Sequence, residues 1–337
     1  MKKSIAAATL LAVLLLTACN NTKVPANVPV SVPISSSRVS TRSTTESAVS
    51  SVNTQIGESS VQASSSAERP SEPVSVSAPS YKACALYCVE NSELIVGENV
   101  TDKIAPASLT KLMTASVALR YLKADEVITV GSELDLVQPD SSLAMIAPGQ
   151  KLKLYDLLTG LLLPSGNDAA YTIAVSTARR VSGRENMTDK HAVDYFCGLM
   201  NDLAHELEMD GTHFADPDGW DDDAHYTTVS DLVKLAKYAL TVPEIREIVA
   251  IPEKTVIFET GEVANWTNGN VFIHPKWEEY YRKEVIGMKT GATDNAGYCL
   301  ITAFVKNKKT YITVVAGSES WEDRNDKTLQ LIDSVNG

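Results

Sequence analysis

From residue 81 onward the chain alternates, turns helical, and alternates again. The stretch YKACALYCVENSELIVGENV (81–100) switches between apolar and polar positions on either side of Glu90-Asn91-Ser92, which predicts a hairpin. Pro106 suits the first turn of a helix, and the apolar run from about Ser108 to Leu122 predicts a long one. Two short β-like pieces, EVITV (126–130) and SSLAMI (141–146), precede LYDLLTGLLL (154–163), whose leucines have helical spacing. From Asn167 to about Val249 the pattern stays mostly helical, and Thr228 with Asp231 fits a capping box ahead of VSDLVKLAKYAL. GYCLITAFVKNKKTYITVVAGS (297–318) reads as two strands around Asn307-Lys308-Lys309, and EDRNDKTLQLIDSV (322–335) as a closing helix. The pattern therefore predicts an α/β chain of the α+β kind. One antiparallel sheet is built from both chain ends and flanked by helices, with a mainly helical insertion over about 116–270. No internal repeat is evident.

The first eighty residues differ. Lys2 and Lys3 lead into an apolar run from Ile5 to Ala18. That is about 14 residues where a membrane span needs roughly 20, so residues 1–18 read as a secretory signal. The run closes on Leu16-Thr17-Ala18-Cys19, which resembles a bacterial lipobox and implies that Cys19 is lipidated and becomes the first residue of the mature chain. Of the 61 residues from 20 to 80, 18 are Ser; one is Gly and none is aromatic. Such a segment buries too little apolar surface to offset its chain entropy, so it is expected to be a disordered tether, its ends about 40 to 45 Å apart. Residues 81–337 are left as the globular zone, expected to be held outside the cytoplasm on a membrane.

The chain carries a net charge of −12; the leader contributes two lysines and 20–80 is neutral, so the globular part is more acidic still. That balance argues against nucleic acid as a partner and leaves any anionic substrate to a few local basic groups. Cys84 and Cys88 fall on one face of a predicted strand, roughly 13 Å apart, too far to bridge each other. Buried free thiols are the favoured reading of these two and of Cys197 and Cys299, although an exported protein could pair either of the first two with one of the latter.

Three short signals carry candidate chemistry. In PASLTKLMTA, Ser108 and Lys111 stand at i and i+3 of a helix, which puts hydroxyl and amine one turn apart on one face. A lysine desolvated there loses basicity, and its neutral amine can take the serine's proton. In LLLPSGNDAA, Ser165 and Asn167 lie two apart across a turn, placed to relay a proton and to hold a substrate backbone; a turn with local side-chain bonding is the plainer alternative. In GMKTGAT, running into the strand near Tyr298, Lys289, Thr290 and Gly291 offer a charge, a hydroxyl and room for close approach at a sheet edge.

In this order S-x-x-K, S-x-N and K-T-G resemble the signature of the penicillin-recognising serine enzymes. The fuller strings ASLTKLMTA, LLPSGNDAA, HFADPDGWDDDAHYTT and GMKTGATDNAGYCL are similar to the low-molecular-mass penicillin-binding proteins, serine-type D-alanyl-D-alanine carboxypeptidases. The resemblance spans about 81–337 and implies a β-lactamase-like transpeptidase fold. It implies attack by Ser108 on the bond between two terminal D-alanines of a peptidoglycan stem peptide, with Lys111 as base and Ser165 as proton relay. Asn167 binds the substrate's amide, Lys289 and Thr290 of the K-T-G hold its carboxylate, and the N–H groups of Ser108 and Ala292 form the oxyanion hole. β-Lactam antibiotics are the implied inhibitors, and no cofactor or metal is implied. Many relatives continue into a second β-rich domain and a membrane helix; here the chain reaches only Gly337, so the N-terminal lipid is expected to take over anchoring. Ala292 stands where some relatives carry a histidine.

Other readings remain. A β-lactamase of class A needs E-x-x-x-N between the second and third motifs, and none is found between Asn167 and Lys289. A D,D-endopeptidase would act on the same bonds, and a non-catalytic penicillin-fold sensor would be expected to lose one of Ser108, Lys111, Ser165 or Lys289. A zinc peptidase has only His213-x-x-Asp216 to build on, and His213 reads better as a structural hydrogen-bonder. DPDGWDDD lacks the glycine position and closing glutamate of a calcium loop.

Overall fold

The predicted first hairpin forms from β1 (Ala83–Cys88) and β2 (Glu93–Glu98). The structure, a computed structural model, describes residues 80–335; the leader, Cys19 and the Ser-rich segment lie outside the described residues. A 3-10 turn (Ala107–Thr110) then leads into α1 (Lys111–Tyr121). β3 (Val127–Thr129) pairs with β4 (Lys151–Lys153), and α2 (Leu154–Leu162), α3 (Asn167–Ser182), α4 (Asp189–Glu206), α5 (Val229–Thr241) and α6 (Pro243–Val249) follow. Next comes a hairpin, β5 (Glu253–Ile257) with β6 (Val263–Thr267), and after it β7 (Val285–Thr293), β8 (Gly297–Lys306), β9 (Lys309–Ser318) and α7 (Trp321–Ser334).

Five strands form one antiparallel sheet in the order β2-β1-β9-β8-β7, so the first and last strands of the chain meet at its centre. Side chains alternate across it as a period of two requires. Ala83, Ala85, Ile301, Ala303, Ile312 and Val314 face the main core with the helices, whereas Cys84, Leu86, Leu300, Phe304 and Tyr311 face a smaller core closed by Leu331 and Ile332 of α7. Cys84, Cys88, Cys197 and Cys299 are buried free thiols, as expected. Caps fix several helix starts: Thr228 Oγ1 accepts from Asp231 N (3.1 Å), Ser320 Oγ from Asp323 N (3.0 Å), and Pro243 opens α6.

Two expectations need correction, and one needs an addition. SSLAMI is not a strand: Asp168 takes the Ala144 and Ile146 N–H groups and Trp266 Nε1 donates to Ala144 O, so the segment's polar backbone is satisfied by side chains and has no ladder. The region 116–270 is mainly helical, as expected, and EVITV supplies β3 within it; β5 and β6, five residues each, were not expected, because they carry too few apolar positions to stand out in the sequence. And Lys289-Thr290-Gly291 does not merely precede a strand but sits inside β7, the outermost one, giving three late strands where the pattern suggested two.

Candidate active site

Ser108 stands in the 3-10 turn and Lys111 is the first residue of α1, so the i, i+3 spacing places the amine under the hydroxyl: Lys111 Nζ donates to Ser108 Oγ at 2.7 Å. The lysine is fully buried among α1, α3 and the loop after α4, and its second bond runs to the Asp218 carbonyl oxygen, also 2.7 Å. Burial drives its pKa well down from the ordinary lysine value, against the pull of the Asp218, Asp216 and Asp168 carboxylates. Ala107, just before Ser108, has φ 48°, a left-handed conformation that costs a non-glycine residue about 1–2 kcal/mol. Strain of this kind gathers where geometry is over-determined.

The strand wall touches this turn directly. A Cβ on Gly291 would lie 3.0 Å from Ser108 N and 3.1 Å from Ala107 Cβ, so β7 reaches the Ser108 turn this closely because that residue has no side chain. Lys289, 1% exposed, donates from Nζ to Thr290 O (2.8 Å). Its pKa is pushed well down by burial and by the nearby charges of Lys111 and Arg324. Ala292 is exposed at the strand's end, paired with Tyr298.

The helical wall is tied to the same place. Ser165 sits in the turn between α2 and α3 with φ 65°, and its Oγ is buried without a hydrogen-bond partner. Gly269 N donates to Leu163 O, two residues before Ser165, while a Cβ on Gly269 would stand 2.9 Å from Thr290 Oγ1. The Ser165 turn and the K-T-G strand are thereby joined through one short contact chain. Asn167 opens α3; its Nδ2 donates to Ser141 Oγ (2.9 Å) and its N to Ser142 O (2.8 Å).

The structure adds residues that the motif reading passed over. In the acidic loop, Asp216 Oδ1 accepts from the N–H groups of Asp218 (3.0 Å), Gly219 (2.6 Å) and Trp220 (3.3 Å). Its Oδ2 lies 2.9 Å from His225 Nδ1, and His225 Nε2 lies 2.9 Å from Thr110 Oγ1. Thr114 Oγ1 donates to Pro217 O (2.6 Å). The signal in the sequence is the glycine of DPDGWDDD, within the string HFADPDGWDDDAHYTT. His213 bonds Ala224 O and serves the loop's own structure, as expected. Arg324 on α7, 3% exposed, is the other addition; it hydrogen-bonds only to Asn325 Oδ1 (3.1 and 3.0 Å) and has no carboxylate partner among the described residues. Burial lowers its pKa to about 10. Nothing in EDRND, a polar helix start, distinguishes it from a solvated arginine.

A serine hydroxyl on a buried amine, with a second buried lysine on the strand that touches the serine's turn, is an arrangement suited to nucleophilic chemistry. The model of the D-alanyl-D-alanine carboxypeptidase family of S11 peptidases matches residues 72–320. The chain belongs to this family. Within it, a Streptomyces sp. K15 protein described as a D-alanyl-D-alanine carboxypeptidase is 33% identical over 237 residues, covering 67% of this chain and 76% of the relative. DacC of Escherichia coli K12 is 30% identical over 269 residues, covering 76% and 62%, and DacF of Bacillus subtilis 27% over 255 residues, covering 75% and 61%. The chain thus spans about three fifths of the length of those last two family members. The crystal structure of the Streptomyces K15 DD-transpeptidase superposes with a TM-score of 0.69 at 29% identity, covering 76% of this chain and 97% of that one. The penicillin-binding fold expected from the motifs is therefore shared with that structure.

Proposed function

We propose that the protein is a serine D-alanyl-D-alanine carboxypeptidase that trims the terminal D-Ala from peptidoglycan stem peptides and is acylated by penicillin. The observation that carries this reading is the buried Lys111 amine 2.7 Å from Ser108 Oγ. Burial favours the neutral amine, which takes the Ser108 proton as Oγ attacks the carbonyl carbon of the penultimate D-Ala. The oxyanion falls to the N–H groups of Ser108 and Ala292, a pair for which the approach of Gly291 to Ser108 gives support; each such donor is worth about 3 kcal/mol.

Collapse of the intermediate breaks the C–N bond, and the proton passes through Ser165 Oγ to the leaving amine. The unpartnered state of that hydroxyl supports this role, since it leaves a donor and acceptor free for substrate. Asn167 meets the substrate's amide. Lys289, with Thr290, takes its terminal carboxylate, and Arg324 adds to the positive field there: two buried basic side chains with no carboxylate partner among the described residues suit an anionic ligand. Water then cleaves the acyl-enzyme.

A second acceptor is supported by one comparison, since the solved Streptomyces relative is called a DD-transpeptidase; an amine in place of water would complete that reaction here. Residues 1–18 we infer to be a signal peptide, Cys19 the lipid-bearing residue on the outer side of a membrane, 20–80 a spacer and 81–337 the catalytic unit. The leader's lysines, apolar run and Leu16-Thr17-Ala18-Cys19 support that assignment. Among the described residues no helix is long and apolar enough to cross a membrane.

The test is intact mass of the full chain after penicillin, together with D-Ala released from a diacetyl-lysyl-D-Ala-D-Ala peptide, for wild type and Ser108→Ala. A stable adduct and D-Ala release, both lost in the variant, are expected. Rapid penicillin turnover without D-Ala release would mean a β-lactamase, and neither signal would overturn the serine mechanism.

A further inference from the structure

Behind the Ser108–Lys111 pair lies a carboxyl group that the mechanism above does not use. Asp218 is 1% exposed, and its backbone oxygen holds Lys111 Nζ at 2.7 Å. Its Oδ1 receives only a long bond from Trp220 N (3.4 Å), and its Oδ2 is buried with no partner at all. Asp216, two residues earlier, has the opposite surroundings, with three backbone N–H donors and His225. One loop thus presents two carboxyls in contrasting states. Asp216 is pushed up by burial but brought down overall by His225 and its backbone donors, and so stays ionised. Asp218 is pushed up by burial and by Asp216, with the Lys111 charge opposing. A buried carboxyl short of donors has no structural use for a charge unless a cation beside it needs one.

The groups facing Lys111 are few: Asp218 and Asp216 from this loop, Asp168 from α3 and Lys289 from β7. Those facing Asp218 are Lys111, Asp216, Tyr171 of α3 and Cys197 of α4. Of the three carboxylates around the amine, Asp168 is bonded by three backbone N–H groups and Asp216 is saturated. Among the described residues around the amine, Asp218 is the carboxyl with an oxygen that no hydrogen bond holds.

Resting on the acyl-enzyme reading above, we propose that Asp218 acts on the reaction through Lys111. Its backbone oxygen aims the amine at Ser108, and its buried, half-unpartnered carboxyl governs when that amine is free of its proton. Asp218 is thereby a positioning residue, and the two groups titrate as a unit. An ionised Asp218 holds Lys111 as the ammonium, so the charge on this carboxyl sets how far the pH must rise before the amine is free.

The experiment is the pH profile of acylation of the full chain by a fluorescent penicillin, for wild type, Asp218→Asn and Asp218→Ala, with melting curves alongside. Both variants remove the charge that stabilises the lysine ammonium, so the acidic limb is expected to move to lower pH. A shift of one unit gives about tenfold more rate on that limb relative to the plateau. A variant whose limb coincides with wild type, or whose rate falls equally at every pH, overturns the proposal while its adduct leaves the acyl-enzyme reading intact. Absence of any adduct in wild type would instead remove the reading itself. Should both variants fail to fold, infrared titration of the wild type decides. A protonated-carboxyl band that disappears across the acidic limb is expected, and its absence overturns the proposal.

Discussion

Gly219 lies against Ala107 so closely that a Cβ on it would stand 1.8 Å from the Ala107 carbonyl oxygen and 2.9 Å from Ser108 N. The acidic loop is therefore a mould for the turn that carries Ser108, and the left-handed backbone of Ala107 is held by that contact and by Gly291 on the other side. Asp216 fixes the mould by taking three N–H groups of the loop, and His225 fastens it to Thr110 at the start of α1.

Substituting Gly219→Ala tests that mould. Gly219 has φ +92°, disfavoured for any side chain, and the methyl group has no flexible neighbour to displace, only backbone. We expect a loss of about 3 kcal/mol or more in denaturant unfolding and a fall of at least about a hundredfold in penicillin acylation, because displacing a positioned nucleophile by an ångström has that scale of effect. A variant as stable and as reactive as wild type would show that the loop adapts.

Ser165→Ala should separate stability from activity. The hydroxyl is buried and unpartnered in the free protein, and such a group costs about 1–3 kcal/mol to desolvate. Its removal is expected to leave the melting temperature unchanged or raise it, while D-Ala release falls about a hundred- to ten-thousandfold, the range for one proton-transfer group. A lower melting temperature with activity retained would place the hydroxyl in the structure and not in the chemistry.

Much of this was legible in the residues, and the exceptions have physical causes. The sheet from both chain ends followed from period-two alternation at 83–98 and 297–318, because both faces of these strands are covered and each demands apolar side chains. Ser108 and Lys111 were legible because their contact is local, one helical turn long. SSLAMI misled because its apolar residues serve a pinned coil: Ala144 and Ile146 are buried while Leu143 and Met145 are exposed, which mimics a strand. Asp218, Gly219 and Arg324 act across more than a hundred or tens of residues of chain on Lys111, Ala107 and Lys289, and such juxtapositions leave no periodic trace.

The acidic limb of acylation should belong to Lys111. Its neutral fraction grows as pH rises through a value that burial has set well below that of an ordinary lysine, so the rate should climb with pH across that range. In Lys111→Gln the residual rate is expected to be lower by about a hundred- to ten-thousandfold and to have lost that slope. Persistence of the wild-type slope in the variant would assign the limb to another group.

Lys289 gives a prediction about protons and not rates. In the free protein it is buried at 1% exposure, faces the charges of Lys111 and Arg324, and its pKa lies well below the ordinary lysine value. A ligand carboxylate arriving beside it favours the ammonium and raises that pKa. Between the free and bound values a proton must then be taken up from solution, and outside that window none is. Calorimetric titration of the Ser108→Ala chain with D-Ala-D-Ala peptide, in buffers of differing ionisation enthalpy, should therefore show uptake that approaches one proton within the window and vanishes in Lys289→Met. A binding heat independent of buffer at every pH would mean that Lys289 is already charged in the free protein, or that the carboxylate binds elsewhere. The Met variant distinguishes these, since only the first case costs it affinity.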